Sequence, residues 1–262
     1  MRVLFVGDVV AHPGKRMIKN HLKALLVEKQ VDACVVNAEN IVAGLGINFT
    51  SAKDLFACGV DCITLGNHAF SCPDFFRFAE SEKKIVRPGN VSAKWPGYSE
   101  YLIDLGSKGR LLVVALMGQV FVNPVPNSPF EYFEESISRW KEKYHPTNIL
   151  IDFHAETTSE KGAMAYMADG RVSLVLGTHT HVQTADEKIL PCGTGFITDV
   201  GMTGTDEGVL GMSPDCSLRR LGDKLPSRYT PCEGVAMLNA VLADLDISNG
   251  KCLKIERIRL YE

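Results

Sequence analysis

Much that would classify a chain quickly is missing from these 262 residues. No apolar run approaches the roughly 18–20 residues of a membrane-spanning helix. The first apolar stretch, residues 3–6, is closed by Gly7-Asp8 and is too short for a secretory signal. None of the eight cysteines forms a C-x-x-C pair, so the usual zinc-ribbon spacing is absent. Cys58 and Cys62, in CGVDC, read as isolated thiols, and free thiols without an export signal suit a reducing cytoplasm. There is no basic excess: 28 Lys and Arg stand against 31 Asp and Glu, a net charge of −3. That argues against sequence-independent binding to long nucleic acid, which needs a basic face, but not against a small anion at one local site. No G-x-G-x-x-G follows the first strand and no G-x-S-x-G occurs. Gly7 and Gly14-Lys15 are spaced by six residues, too many for a phosphate loop. Linkers, repeats and low-complexity segments are also lacking, so one domain over residues 1–262 is expected.

What is present is a series of short, β-branched apolar runs: residues 3–6, 33–36, 62–65, 111–117, 149–153 and 172–176. Bounded by Gly, Asn or Asp, they read as buried strands. Helical spacing lies between them at residues 13–28, 50–58, 128–144 and 159–167, with Thr50 opening the second helix and Gly59 stopping it. Strands alternating with helices predict an α/β fold. Residues 98–105 and 111–117 read as a hairpin, and 234–245 and 253–261 as antiparallel strands, so the sheet is mixed. The proline-rich 123–129 (NPVPNSP) is a loop inside the domain.

The informative residues follow the strands. The five runs ending at residues 6, 36, 65, 153 and 176 lead into Gly7-Asp8, Asn37-Ala38-Glu39-Asn40, Gly66-Asn67-His68, His154-Ala155-Glu156 and Gly177-Thr178-His179-Thr180-His181. In open α/β sheets ligands bind beyond the carboxyl ends of strands. Singly, Asp8 reads as a helix cap, Asn40 and Asn67 as turn residues, and His154 as a core histidine. Five such ends in one chain argue for a metal site. The donors are two carboxylates (Asp8, Glu39), two amides (Asn40, Asn67) and four imidazoles (His68, His154, His179, His181). An ion pair needs about seven or eight protein ligands with one shared, so the count suits two ions. Oxygen and nitrogen donors without thiolate favour Mn, Fe or Zn. The two oxygens of Glu39 could bridge both ions, and His179 and His181, two apart at a strand end, should project to the same side.

The order GD, GNH, a histidine strand end and G-x-H-x-H resembles the calcineurin-like metallophosphoesterases. Two departures matter. Val10 stands where GD-x-H has its histidine, and Asn37-Ala38-Glu39-Asn40 replaces GD-x-x-D. Both, with GDVV, GNHAF, DFHAE and GTHTHVQTAD, resemble the YmdB-like branch of bacterial phosphodiesterases over essentially the whole chain.

The resemblance implies a four-layer α/β/β/α sandwich with mixed sheets and two divalent or mixed-valence ions, Fe or Mn first and Zn next. It assigns Asp8, Asn40, His181 and shared Glu39 to one ion, and Asn67, His154, His179 and shared Glu39 to the other; Asp8 and Glu39 can each serve one ion or both. It implies a cytoplasmic phosphodiesterase acting on small diesters, 2′,3′-cyclic nucleotides above all, as a homodimer or homotetramer. In the mechanism that follows, a hydroxide shared by the ions attacks phosphorus and His68 protonates the leaving oxygen as general acid. Two alternatives stay open: a metal-dependent phosphomonoesterase, and a low-turnover nucleotide-binding regulatory protein. Open also are the roles of His12, Lys15, Arg16, Arg87 and residues 199–204, while His21 and His145 read as ordinary helix residues.

Overall fold

The apolar runs are strands covered on both faces, which is why they read as continuous rather than alternating hydrophobic stretches. The computed structural model describes residues 1–262. Its strands are β1 (Arg2–Val6), β2 (Asp8–Val9), β3 (Ala33–Asn37), β4 (Cys62–Thr64), β5 (Ile85–Val86), β6 (Glu100–Asp104), β7 (Arg110–Met117), β8 (Asn148–His154), β9 (Leu174–Thr178), β10 (Lys188–Ile189), β11 (Gly195–Ile197), β12 (Met202–Thr205), β13 (Ala236–Leu245) and β14 (Cys252–Tyr261). Its helices are α1 (Ala11–Glu28), α2 (Phe49–Ala57), α3 (Phe75–Phe78), α4 (Pro129–Tyr144), α5 (Thr158–Ala168) and α6 (Pro214–Leu221).

Two sheets form. One runs β2-β12-β13-β1-β3-β4-β5, with β14 on the other side of β13; the second runs β10-β11-β9-β8-β7-β6. In the first, β1, β3, β4 and β5 are parallel and β13 is antiparallel to β1. In the second, β7, β8, β9 and β11 are parallel, flanked by antiparallel β6 and β10. Both sheets are therefore mixed, as expected.

Alternation along each strand sorts the apolar side chains into three slabs. Leu4 and Val6 of β1 pack with Met17, Ile18 and Leu22 of α1 and Leu55 of α2. Val3 and Phe5, on the opposite face, meet Leu111 and Val113 of β7 and Leu174 of β9 between the sheets. Leu112 and Val114 point away from that layer onto Phe133, Ile137 and Trp140 of α4 and Met164 of α5. The order of slabs is helix, sheet, sheet, helix, so the four-layer α/β/β/α sandwich is the architecture.

Several boundaries differ from expectation. Asn48, not Thr50, caps α2, its side-chain oxygen accepting from Ser51 N at 2.8 Å. The run at 172–176 begins its strand at Leu174, and the Ser173 hydroxyl just before it donates to Gly250 O at 2.6 Å. Residues 202–204, part of the segment whose role was left open, lie in β12, which pairs with β13 and β2. The two- and three-residue β2, β10 and β11 and the four-residue α3 are too short to show a period, and α6 carries too few apolar residues to stand out.

Candidate metal centre

The parallel strands β1, β3, β4, β8 and β9 deliver their carboxyl ends to one edge of the sandwich, and the expected donors meet there. Glu39 Oε1 lies 3.0 Å from His154 Nε2. Asn67 Oδ1 and His179 Nδ1 also lie 3.0 Å from that nitrogen. Glu39, His154 and His179 form a cluster whose ligand atoms all fall within 4.8 Å of one another. A second contact joins His181 Nε2 to Asn40 Oδ1 at 3.2 Å. The Asn40 amide nitrogen donates to Gly44 O at 3.0 Å, which turns the oxygen toward His181. Asp8, wholly buried, touches the His179 segment: its Oδ2 accepts the His179 N–H at 3.2 Å, and its Oδ1 stands 3.9 Å from His154 Nδ1.

Proton placement shows what the cluster is missing. Asp152, buried in β8, accepts from Thr178 Oγ1 (2.7 Å), Thr64 Oγ1 (2.5 Å) and Asn37 Nδ2 (2.9 Å). With its hydroxyl proton given to Asp152, Thr178 Oγ1 accepts from His154 Nδ1 at 2.9 Å. His154 Nε2 is then the free position, directed at Glu39, Asn67 and His179. Asp8 Oδ1, buried and without a hydrogen-bond partner, is a further unmatched acceptor. Acceptors facing acceptors in a buried site require a positive species among them.

The ionisation equilibria agree. Burial opposes ionisation of Glu39, yet the imidazoles of His154, His68 and His179 hold its pKa at about 2. Burial likewise opposes the charge on His154, but Glu39, Asp8 and Asp152 raise its pKa to about 9. A proton on His154 Nε2 therefore stands in for a cation in the metal-free chain. Burial, then the neighbouring His154, lowers His179 to about 3, and burial lowers His181, so both offer neutral lone pairs near neutrality. Burial raises the Asp8 pKa well above the usual carboxylate range, a penalty that a bound cation would remove. The donor set and its missing positive charge fit divalent metal.

The two GTHTH histidines both reach the site, but strand alternation, the reason their spacing suggested, is not what aims them. β9 ends at Thr178, and His179 (φ 101°) and His181 (φ 66°) both have left-handed backbone. Such φ values cost non-glycine residues about 1–3 kcal/mol each and persist only where surroundings impose them. The imposing group is Asp199. Its Oδ2 accepts from Thr180 N (3.0 Å), Thr180 Oγ1 (2.7 Å) and the buried Lys161 Nζ (2.7 Å). Pinning Thr180 lets the flanking histidines reach different partners, Glu39 and His154 on one side and Asn40 on the other. Gly66 is needed for close approach: a Cβ there would lie 2.3 Å from both Glu39 Oε2 and His154 Cδ2.

A family model described as YmdB-like protein matches residues 4–258. The chain belongs to the YmdB-like family. It is 41% identical over 262 residues to a 2′,3′-cyclic-nucleotide 2′-phosphodiesterase of Bacillus subtilis (strain 168), covering 100% of this chain and 98% of that one. Among solved structures, a hypothetical protein from Thermus thermophilus superposes with TM-score 0.92 at 36% identity, with both chains fully covered. A novel phosphatase of Mycoplasma pneumoniae superposes with TM-score 0.92 at 34% identity, over 100% of this chain and 93% of that one.

In this YmdB-like chain His68 stands apart from the converging donors. Its backbone N–H donates to Glu39 Oε2 at 3.2 Å, while its ring Nδ1 lies 3.1 Å from Ser71 Oγ. Three of the undecided residues, Arg16, His12 and Arg87, are occupied elsewhere. Arg16 binds Glu262 (2.8 Å) and Gly234 O (2.8 Å), and His12 faces Glu233 at 3.6 Å. The Arg87 guanidinium is spent on the carbonyls of Pro88, Trp95 and Pro96. Sequence reading missed Asp152, Thr178, Lys161 and Asp199 as supports. Asp152 and Lys161 gave one signal, a charged residue inside an otherwise apolar strand or helix face. Glu156, quoted in DFHAE but given no role, reaches His179 Nε2 at 3.1 Å.

Proposed function

We propose that residues 1–262 act as one metallophosphoesterase domain hydrolysing small phosphodiesters, 2′,3′-cyclic nucleotides first among them. The observation that carries this reading is the convergence of Glu39, Asn67 and His179 on the free nitrogen of His154. Asn67, His154, His179 and Glu39 would hold one ion; Asp8, Asn40, His181 and Glu39 would hold the other. Iron or manganese suits these nitrogen and oxygen donors, and zinc is compatible. When bound, two such ions supply Lewis-acid charge and bring the pKa of a water toward neutrality.

The chain's own groups do the rest. Glu39, ionised throughout the working pH range, serves both sides of the site. Asp152, through Thr178, fixes the His154 tautomer, and Asp199, through Thr180, fixes the two histidines beyond β9. His68 is free of the donor cluster and delivers a proton to the leaving oxygen as general acid. The name of the Bacillus subtilis relative supports a cyclic diester as substrate. No helix is long and apolar enough to cross a membrane, and a cytoplasmic homodimer or homotetramer is the working form we assign.

Metal analysis beside a panel of cyclic nucleotides and phosphomonoesters tests the reading. Two ions per chain and preference for the cyclic diesters are expected; one ion or none ends the dinuclear assignment. His68→Ala should keep its metal and lose about 10²–10⁴ in rate on a diester with an alkoxide leaving group. The loss should shrink with a nitrophenolate, which leaves without a proton. Equal loss on both substrates, or loss of metal, removes His68 from the proton step.

A further inference from the structure

A cavity of about 560 Å³ opens at the end of the sandwich opposite the metal centre. It lies where α4 enters β8, where α5 enters β9, and against the turn between β13 and β14. The length of β8, about 20 Å at 3.3 Å per residue, separates it from His154. Its volume falls within the roughly 300–1,000 Å³ of small-molecule sites.

The lining is unusual for a protein of net charge −3. It contains Lys141, Arg171, Lys251 and His145 and no carboxylate. The nearby acids are already engaged. Glu134 holds Arg171 in a two-pronged ion pair. Asp169 accepts the backbone N–H groups of Cys192 and Thr194 at 2.9 and 3.2 Å. Asp246 accepts from Ser248 and Asn249 within its own turn. Lys141, Lys251 and the His145 ring are left with no ion pair or hydrogen bond, each facing the cavity. The stem of Lys251 is laid across Gly193, where a Cβ would lie 2.8 Å from its Cγ. The apolar surface of the lining comes from Pro146 and the exposed Ile247, beside the polar Thr147, Ser248 and Asn249, while Ile149 and Val172 are buried beneath it.

Uncommitted cations beside the small apolar surface of Pro146 and Ile247 suit a ligand that is anionic at one end and flat at the other. We propose that this cavity binds a nucleoside monophosphate, its phosphate on Lys141 and Lys251 and its base against Pro146 and Ile247. The site lies apart from the metal centre and does not depend on the function proposed for it. Lysine ammonium groups act as point charges toward phosphate, so binding should weaken as salt rises.

The test is calorimetric titration of adenosine monophosphate into the chelator-stripped full chain, where the metal centre no longer offers cations to phosphate. One site per chain is expected, with inorganic phosphate binding more weakly than adenosine monophosphate. The double substitution Lys141→Gln/Lys251→Gln should lower the affinity at least about tenfold, the loss of two charge contacts. That variant should keep the wild-type metal content and hydrolytic rate. Glu39→Gln should bind the nucleotide as the wild type does. No binding to the stripped chain, unchanged binding by the double variant, or binding abolished by Glu39→Gln would each overturn the proposal. Equal affinity for inorganic phosphate would remove the nucleoside from it. None of these results bears on whether the metal centre cleaves diesters.

Discussion

Around Asp199 every acceptor has a donor: Lys161, both polar groups of Thr180, and the Gly201 N–H at 2.8 Å on the second oxygen. Around Glu39 the reverse holds, with Asn67, His179 and the free nitrogen of His154 presenting lone pairs to a common point and Asp8 Oδ1 unmatched. Both centres are buried at the carboxyl edge, and Thr180 links them, bound to one and flanked by two histidines of the other. The difference teaches how to tell a buried charge that completes the fold from one that awaits a ligand. The first is neutralised by protein groups alone; the second is neutral only with an added cation, for which a proton on His154 is the substitute.

Substituting Glu39→Gln attacks that difference most directly. It preserves shape but removes the one negative charge shared by both proposed ions. Both metal occupancies should fall together and diester hydrolysis should drop to the uncatalysed background; elemental analysis retaining two ions would show that Glu39 is not the shared ligand. Lys161→Met strikes the closed centre instead. It leaves Asp199 as an uncompensated buried charge, at a cost of about 3–5 kcal/mol in stability. Urea unfolding of the metal-free protein should show the loss, because it does not depend on metal; a change below about 1 kcal/mol would mean that Asp199 is satisfied by Thr180 and Gly201 alone.

A smaller effect is expected at the support of His154. Thr178→Val breaks the path from Asp152 to His154 Nδ1 and should weaken metal binding by about 10–100-fold, as loss of an orienting partner does. Excess metal should restore much of the activity; unchanged affinity would mean that packing alone orients the ring.

The mildest test is pH. His154 has a folded pKa of about 9 against an ordinary 6.5, so in the stripped protein its contribution to stability is complete below pH 6.5 and is lost as pH rises through about 9. Asp8, also raised, acts in the same direction at lower pH. Thermal melts of the stripped protein should therefore fall between pH 6.5 and 9, while the metal-loaded protein escapes this decline. Metal binding at pH 7 should release at least one proton, measurable by calorimetry in buffers of different ionisation heat. No proton release would contradict the protonated state assigned to His154.

Donor types were legible before any fold was known, because each donor directly follows a short apolar run and parallel strands send such positions to one edge. Asp8, Glu39, Asn40, Asn67, His154, His179 and His181 all reached that edge. The supports were not legible. Asp152 contacts residues up to 115 positions away, and Lys161 meets Asp199 38 positions later, separations that local spacing does not encode. What aims His179 and His181 was not legible for the same reason: their backbone is left-handed rather than extended, and it is imposed by Asp199 from outside the segment.

The cationic cavity shows the same division at the other end of the sandwich. Lys141 and His145 lie four apart at the end of α4, but Arg171 and Lys251 come from two other connections, and nothing in the spacing of the three segments joins them. By itself the sequence determined the alternation of strands and helices, the apolar faces that make three buried slabs, and the chemical types at the strand ends, since each depends on neighbours a few residues apart. Only the tertiary structure decided which lone pairs face one another, which buried charges are already neutralised, and which cations are left free. Those outcomes depend on distances of about 3 Å between residues far apart in the chain, and burial makes each unmatched charge too costly to leave without a partner.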